Sequence, residues 1–215
     1  SYKGAIGTSV VRVFDAVAGT TGLSLKQALA AGIDADAVVV HKEHHTAYYP
    51  GAETVSVLLV FDKKTGVVLG GQTAGYKGAD KRLDVIATAT AAKLPVSEIA
   101  DIDFAYSPPI GTANDAMNMA AYAAENKMSG YGPSLMVSEL DDYLETKSQV
   151  IVLDVRDVFA HQKSNMNGAY HLPLEMLQAN IDRIPKDISI LVYDETGKKG
   201  HQAVRTLIGA GCEEV

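Results

Sequence analysis

Cysteine is nearly absent from this 215-residue chain. Cys212 is the only one, which excludes an internal disulfide framework and any metal site built on several thiolates. Long apolar runs are also missing: nothing approaches the roughly 20 residues that span a bilayer. The first residues show no charged segment followed by an apolar core and a cleavage site. No membrane association and a reducing, cytoplasmic location are the expectation. Positive charge is scarce too. The formal net charge is -7, and no basic stripe is available to neutralise phosphates, which argues against nucleic acid or an anionic membrane as partner. The short clusters Lys77, Lys81, Arg82 and Lys198, Lys199 read as solvated surface. A Gly-rich strand-turn-helix fingerprint for a dinucleotide is likewise not found. Gly70-Gly71-Gln72-Thr73-Ala74-Gly75 is the nearest string, and it reads as structural glycines in a hairpin.

What is present describes two globular halves. With 47% hydrophobic residues and balanced charges the chain can bury a core in each of two modest domains. Ser129-Gly130-Tyr131-Gly132-Pro133-Ser134 gathers Gly, Ser and Pro between two helix-like segments, the composition of a linker. The boundaries that follow are a first domain over residues 1–128, a linker over 129–136 and a second domain over 137–215.

In the first half, residues 9–14 form a strand candidate, residues 19–22 a turn, and Ser24 the N-cap of a short helix. A strand runs from Ala37 toward His45. On such a strand His41 and His45 share one face while His44 points to the other, so the three diverge rather than converge on a metal. Residues 55–61 and 67–71 flank Asp62-Lys63-Lys64-Thr65-Gly66 as a β-hairpin. Asp80 is a candidate cap for a helix carrying Leu83, Ile86 and Ala87, and Asp115 for one through Met119 and Tyr122. Hairpin strands followed by helices imply an α+β layer, an antiparallel sheet covered on one face, with a further face left to seek a partner chain.

The second half carries Ile190-Leu191-Val192-Tyr193-Asp194-Glu195-Thr196-Gly197-Lys198-Lys199-Gly200, a β-branched strand, a Gly-containing turn and then a helical pattern through Ala203, Val204, Leu207 and Ile208. A loop of this kind offers backbone N–H groups to anions at a helix N-terminus. Leu153-Asp154-Val155-Arg156, Gly168-Ala169-Tyr170-His171-Leu172-Pro173-Leu174, Ile184-Pro185-Lys186-Asp187 and residues 190–193 follow in an order that resembles a rhodanese-like domain. That resemblance implies an α/β fold with a parallel sheet. It also implies a catalytic cysteine directly after the last strand, followed by a loop with Gly, Arg and Ser. The matching positions here are Asp194, Gly197, Lys199 and Gly200, so the loop is degenerate. Cys212 lies after the helix and does not match the nucleophile. A rhodanese-like domain usually continues past the position of Val215, so this one is expected to be C-terminally incomplete.

Gly7-Thr8-Ser9-Val10-Val11-Arg12-Val13-Phe14-Asp15, Tyr48-Tyr49-Pro50-Gly51-Ala52, Gly70-Gly71-Gln72, Asp80-Lys81-Arg82-Leu83-Asp84-Val85-Ile86 and Ala105-Tyr106-Ser107-Pro108-Pro109 resemble the C-terminal dimerisation domain of pyridine nucleotide-disulfide oxidoreductases. The likeness is closer to the coenzyme A-disulfide reductase and NADH oxidase branch. Residues 106–115 contain none of the His that glutathione-reductase-like members use there. The resemblance implies a homodimer in which Tyr106 and Tyr48 (or Tyr49) reach over the partner subunit's active site toward a coenzyme A thiol or disulfide. A tyrosine hydroxyl can donate a hydrogen bond to a developing thiolate, and the same residue type suits an amphipathic interface.

Three functions follow. The first is a C-terminal fragment of a flavin-dependent NAD(P)H reductase of coenzyme A disulfide, persulfide or polysulfide. It supplies the dimer interface, while FAD and NAD(P)H sit on N-terminal domains of the same parent chain. This fragment alone is expected to bind neither cofactor and to be inactive. The second is a sulfurtransferase, which requires Cys212 to fold back toward Gly197 and Lys199, because Asp194 cannot form a persulfide. The third is a structural or docking module, in which Lys198, Lys199 and His201 either hold an anion such as part of coenzyme A or stand as solvated charge.

Overall fold

The structure, a computed structural model, describes residues 4–215. It divides into two compact units that meet in sequence between Gly130 and Tyr131. Among the described residues no helix is long and apolar enough to cross a membrane.

The first unit runs β1 (Ser9–Val13), β2 (Ala16–Gly22), α1 (Leu25–Ala30), β3 (Ala35–Glu43), β4 (Thr54–Asp62), β5 (Val68–Gly75), α2 (Ala79–Ala92), α3 (Val96–Ala100) and α4 (Ala116–Met128). Its five strands are antiparallel in the order β1-β2-β5-β4-β3. The central strand β4 alternates as its sequence dictates, with Val55, Val57 and Leu59 buried. Phe61 continues that face into the core, and Val60, beside a register shift between the two, is buried as well. Against this face lie Ile86 and Ala89 of α2 and Met117, Ala120, Ala121 and Ala124 of α4. The small alanines let α4 approach the sheet closely, while its Met119 and Tyr122 face outward.

Residues 19–22 depart from the turn expected of them. They belong to β2, which bonds to β1 on one side and to β5 on the other, and the chain reverses at Phe14 and Asp15 instead. Pairing on both edges outweighs the weak strand preference of glycine and alanine. Ser24 does cap α1, in a reciprocal capping box with Gln27, and Asp115 caps α4 in the same way with Asn118. Asp80 is not a cap. It sits in the first turn of α2, and the cap is Gly78 at φ 72°.

A second departure is larger. Arg82 is not solvated; its side chain is 2% exposed and forms a bidentate pair with Asp115, whose side chain is 4% exposed, at 3.1 Å from Nε and 2.5 Å from Nη2. The same guanidinium donates to the carbonyls of Gly78 (3.2 Å) and His44 (3.0 Å). A Cβ at residue 78 would come within 2.2 Å of Arg82 Nη1, so both the positive φ and this cation require glycine. All of this charge is satisfied inside the unit, which is the condition for burying it.

The second unit contains α5 (Leu140–Thr146), β6 (Val150–Asp154), α6 (Val158–Lys163), β7 (Tyr170–His171), α7 (Leu174–Leu177), β8 (Ser189–Tyr193) and α8 (Lys198–Gly209), with 3-10 turns at Val137–Glu139 and Gln178–Arg183. Its strands are parallel in the order β7-β6-β8. Leu153, Val155, Leu172, Leu177, Ile190, Ala203 and Leu207 form its core, so the helical repeat through Ala203, Val204 and Leu207 buries the face its period implies.

Replacing Arg82 by Ala leaves Asp115 as an unpaired buried carboxylate. The expected cost is about 3–5 kcal/mol in denaturant unfolding. The double replacement Arg82→Met with Asp115→Leu is expected to recover only part of that loss, because it also removes the N-cap of α4, worth about 1 kcal/mol.

Candidate functional site

The tyrosine-bearing loops of the first unit are joined to each other. Thr46 donates its backbone N–H to the Pro108 carbonyl (3.3 Å) and its hydroxyl to the Gly111 carbonyl (3.2 Å). The loop after β3, with Tyr48 and Tyr49, thus rests on the segment that carries Tyr106. Arg82 fixes the base of the same ledge through the His44 carbonyl and through Asp115, the residue that opens α4. Tyr48 is 78% exposed and Tyr106 51%. Tyr49 is more sheltered, its ring edge-on to His45 with centroids 5.9 Å apart.

β3 ends at Glu43, so only His41 of the three histidines lies on a strand, where its Nδ1 meets Ser56 Oγ at 2.8 Å. His44 and His45 do not continue the strand's alternation; their rings lie 4.2 Å apart in the following loop, and His45 is buried. Burial is the largest of several causes that lower the pKa of His44. The sequence period placed these two on opposite faces because it assumed a strand two residues too long.

In the second unit Asp194 follows β8 and folds its carboxylate into the loop. Oδ1 accepts the N–H of Gly197 at 2.6 Å and Oδ2 that of Lys199 at 2.9 Å. The positive end of α8 is therefore met by the chain's own anion. Lys199 extends its ammonium toward Glu175 at 3.4 Å, Lys198 is exposed, and His201 lies 6.1 Å from the Tyr131 ring. Cys212 sits beyond the far end of α8, buried among Leu207 and its neighbours. The 12 residues of α8 span about 18 Å between it and the loop. Burial pushes its thiol pKa upward. It does not fold back toward Gly197 and Lys199.

A polar cluster that the sequence did not announce surrounds Asp154, whose side chain is fully buried. Oδ1 accepts the backbone N–H (3.0 Å) and Nε (2.9 Å) of Arg156. Oδ2 accepts Arg156 Nη2 (2.6 Å), the Tyr193 hydroxyl (2.7 Å) and Nδ1 of His161 (2.9 Å), which carries the proton because it faces a carboxylate. The His161 ring stacks on His171 with centroids 4.0 Å apart, and Nε2 of His171 meets the Arg156 carbonyl at 3.0 Å. Burial alone would raise the Asp154 pKa, but the hydrogen bonds from Arg156, His161 and Tyr193 outweigh it and hold the carboxyl well below its usual range. Asp154 and Arg156 stood in the Asp-Val-Arg string; their partners, 7 to 39 residues away, left no local signal.

The sign of the pH dependence follows. A carboxyl depressed by folding stabilises fully above its ordinary pKa of about 3.9 and loses that contribution only as pH falls through the lower, folded value. Asp154→Asn is expected to destabilise the second unit at pH 7 by about 3–5 kcal/mol, because Arg156 loses its partner. In urea melts between pH 7 and pH 2, the wild-type chain should lose stability below about pH 4 more steeply than the variant does.

The glycines 70, 71 and 75 do not fit a dinucleotide. They lie within β5, and a Cβ on Gly70 would meet Leu23 N at 2.5 Å and one on Gly71 would meet Leu58 O at 2.4 Å. They allow neighbouring strands to approach closely, and β5 pairs antiparallel on both sides, so α2 after it is not the crossover helix of a parallel dinucleotide-binding unit.

Comparison with known proteins places these features. Residues 8–121 match the pyridine nucleotide-disulphide oxidoreductase dimerisation domain, and residues 136–215 match the rhodanese-like domain. Over 125 residues the chain is 30% identical to a coenzyme A disulfide reductase of Staphylococcus haemolyticus (strain JCSC1435), covering 58% of this chain and 28% of that protein. A crystal structure of reduced Bacillus anthracis CoADR-RHD superposes with a TM-score of 0.92 at 37% identity, over 98% of this chain and 37% of that one. An NAD-dependent persulfide reductase from A. fulgidus gives 0.88 at 32% identity, over 100% of this chain and 38% of that one. The chain thus spans little more than a third of either solved relative. By its five-stranded antiparallel first unit and the domain match across more than half its length, the chain belongs to the pyridine nucleotide-disulphide oxidoreductase family and carries a rhodanese-like domain after the dimerisation domain.

Proposed function

We propose that this chain is the C-terminal region of a flavin-dependent, NAD(P)H-driven reductase of coenzyme A disulfide, persulfide or polysulfide, acting as a homodimer. FAD and NAD(P)H are assigned to domains of the parent chain outside these residues, since the glycines here do not fit a pyrophosphate. The observation that carries this reading is the joined ledge. Thr46 ties the Tyr48 loop to the Tyr106 loop, so two phenols stand exposed on a rigid base where a partner subunit could be met. Tyr48 is preferred to Tyr49 because it is the freer of the two. In the dimer each hydroxyl donates a hydrogen bond to the sulfur that takes on negative charge as the disulfide is cleaved, and so stabilises the leaving thiolate. The rhodanese-like unit is assigned a docking or structural role. With Asp194 in the loop, an incoming sulfur anion meets a carboxylate that already holds the Gly197 and Lys199 amides. Lys198, Lys199 and His201 then serve as surface around a closed loop.

Two measurements test this. In the full-length parent enzyme with NADH and coenzyme A disulfide or polysulfide, Tyr106→Phe and Tyr48→Phe are each expected to lower kcat/KM by about 10²-fold, while Tyr49→Phe changes it little. Absence of turnover with all of these acceptors would refute the reductase reading. For the second unit, thiosulfate-to-cyanide sulfur transfer by this chain is expected to stay at background. Appreciable activity abolished by Cys212→Ser would restore the sulfurtransferase alternative.

A further inference from the structure

The second unit holds a cavity that plays no part in the site above. It encloses about 370 Å³, within the range of roughly 300–1,000 Å³ typical of small-molecule sites. Its floor is apolar and buried, formed by Leu153, Leu172, Ile184 and Ile190. Two polar side chains from the 3-10 turn Gln178–Arg183, Asn180 and Arg183, complete the wall. No residue of the Asp194 loop lines it. The wall draws on β6 from Val150 onward and on Ile190 near the start of β8, whereas Asp194 follows the end of that strand.

Charge gives the cavity a direction. Arg183, an exposed residue at the rim, is its sole charged lining residue, no carboxylate lines the wall, and among the described residues the ion pairs do not include Arg183. Asn180 spends one amide N–H on the Met176 carbonyl at 2.9 Å and keeps its second donor. A guanidinium and an amide beside an apolar floor suit a ligand with a hydrocarbon body and one planar anionic head.

The geometry points to a binding site for a small amphiphilic monoanion, of the size and kind of a medium-chain carboxylate, between the Gln178–Arg183 turn and the start of the parallel sheet. This assignment stands apart from the reductase reading, because it uses none of the tyrosines and none of the Asp194 loop.

The test titrates the intact chain with butanoate, hexanoate and octanoate, followed by calorimetry and by amide shifts in NMR. Affinity is expected to rise about fourfold for each methylene buried in the cavity. Octanol should bind more weakly than octanoate. Arg183→Gln should weaken octanoate roughly tenfold while leaving octanol unchanged. Ile151→Phe, which fills the cavity, should abolish both, with circular dichroism reporting whether that variant folds. If it does not fold, the chain-length series and Arg183→Gln still decide the matter. Non-saturable binding, affinity independent of chain length, equal affinity for octanol and octanoate, or an Arg183→Gln chain that binds octanoate as before would each overturn the assignment.

Discussion

A single guanidinium organises the first unit. Arg82 is buried, and its guanidinium is held by protein groups, so its geometry is set from within the unit. It reaches the turn before its own helix, the loop after β3 and the N-cap of α4. Each is an end of an element rather than its middle, and ends are where an isolated helix or strand frays. Asp115 is engaged twice over, because the carboxylate that receives Arg82 also accepts the Met117 N–H and starts α4. Asn118, its partner in the capping box, donates onward to the carbonyls of Ile99, Ala100 and Ile102. The segment that carries Tyr106 is thus held before it at Ile102 by Asn118 and after it at Pro108 by Thr46.

This arrangement explains which features the sequence made legible. Alternation in β4 and the 3.6-residue repeat of α8 are local patterns, and they describe burial because a half-buried strand and an amphipathic helix leave periodic traces. Ser24 and Asp115 were readable as caps for the same reason: the groups they satisfy lie two or three residues on. Arg82 has no such trace. Its carboxylate partner is 33 residues away, and a cation with Lys81 just before it and Asp84 two residues on has the local look of a solvated face. The glycines of β2 misled in the opposite direction, since their turn preference is intrinsic and the pairing that overrides it is not. Tyr48 and Tyr106 could be singled out only by likeness to a family, because an exposed tyrosine has no pattern of its own.

Two aspartates of the second unit show how position decides what a carboxylate does. Asp154 ends β6 inside the unit and must gather five donors to remain charged there. It becomes the knot through which β6, β8 and α6 hold together. Asp194 stands at the surface end of β8 and receives only backbone amides. Its contribution is to orient the turn, with solvent sharing the charge.

That contrast bears on why a loop without a nucleophile keeps a loop's shape. An N-terminal turn of a helix that points several N–H groups at one place is strained toward an anion, and with none present the amides must turn to water or the turn must open. A side-chain carboxylate at residue 194 supplies the anion covalently, at fixed distance and with no binding step. Gly200 accommodates it, since a Cβ there would press to 3.3 Å from Asp194 Oδ1. The carboxylate that accepts the Gly197 and Lys199 amides occupies the place where another anion would meet them. Shape and chemistry are thus separable at this position: the geometry needs only a negative charge, whereas transfer of sulfane sulfur needs a thiolate that can form and break a bond.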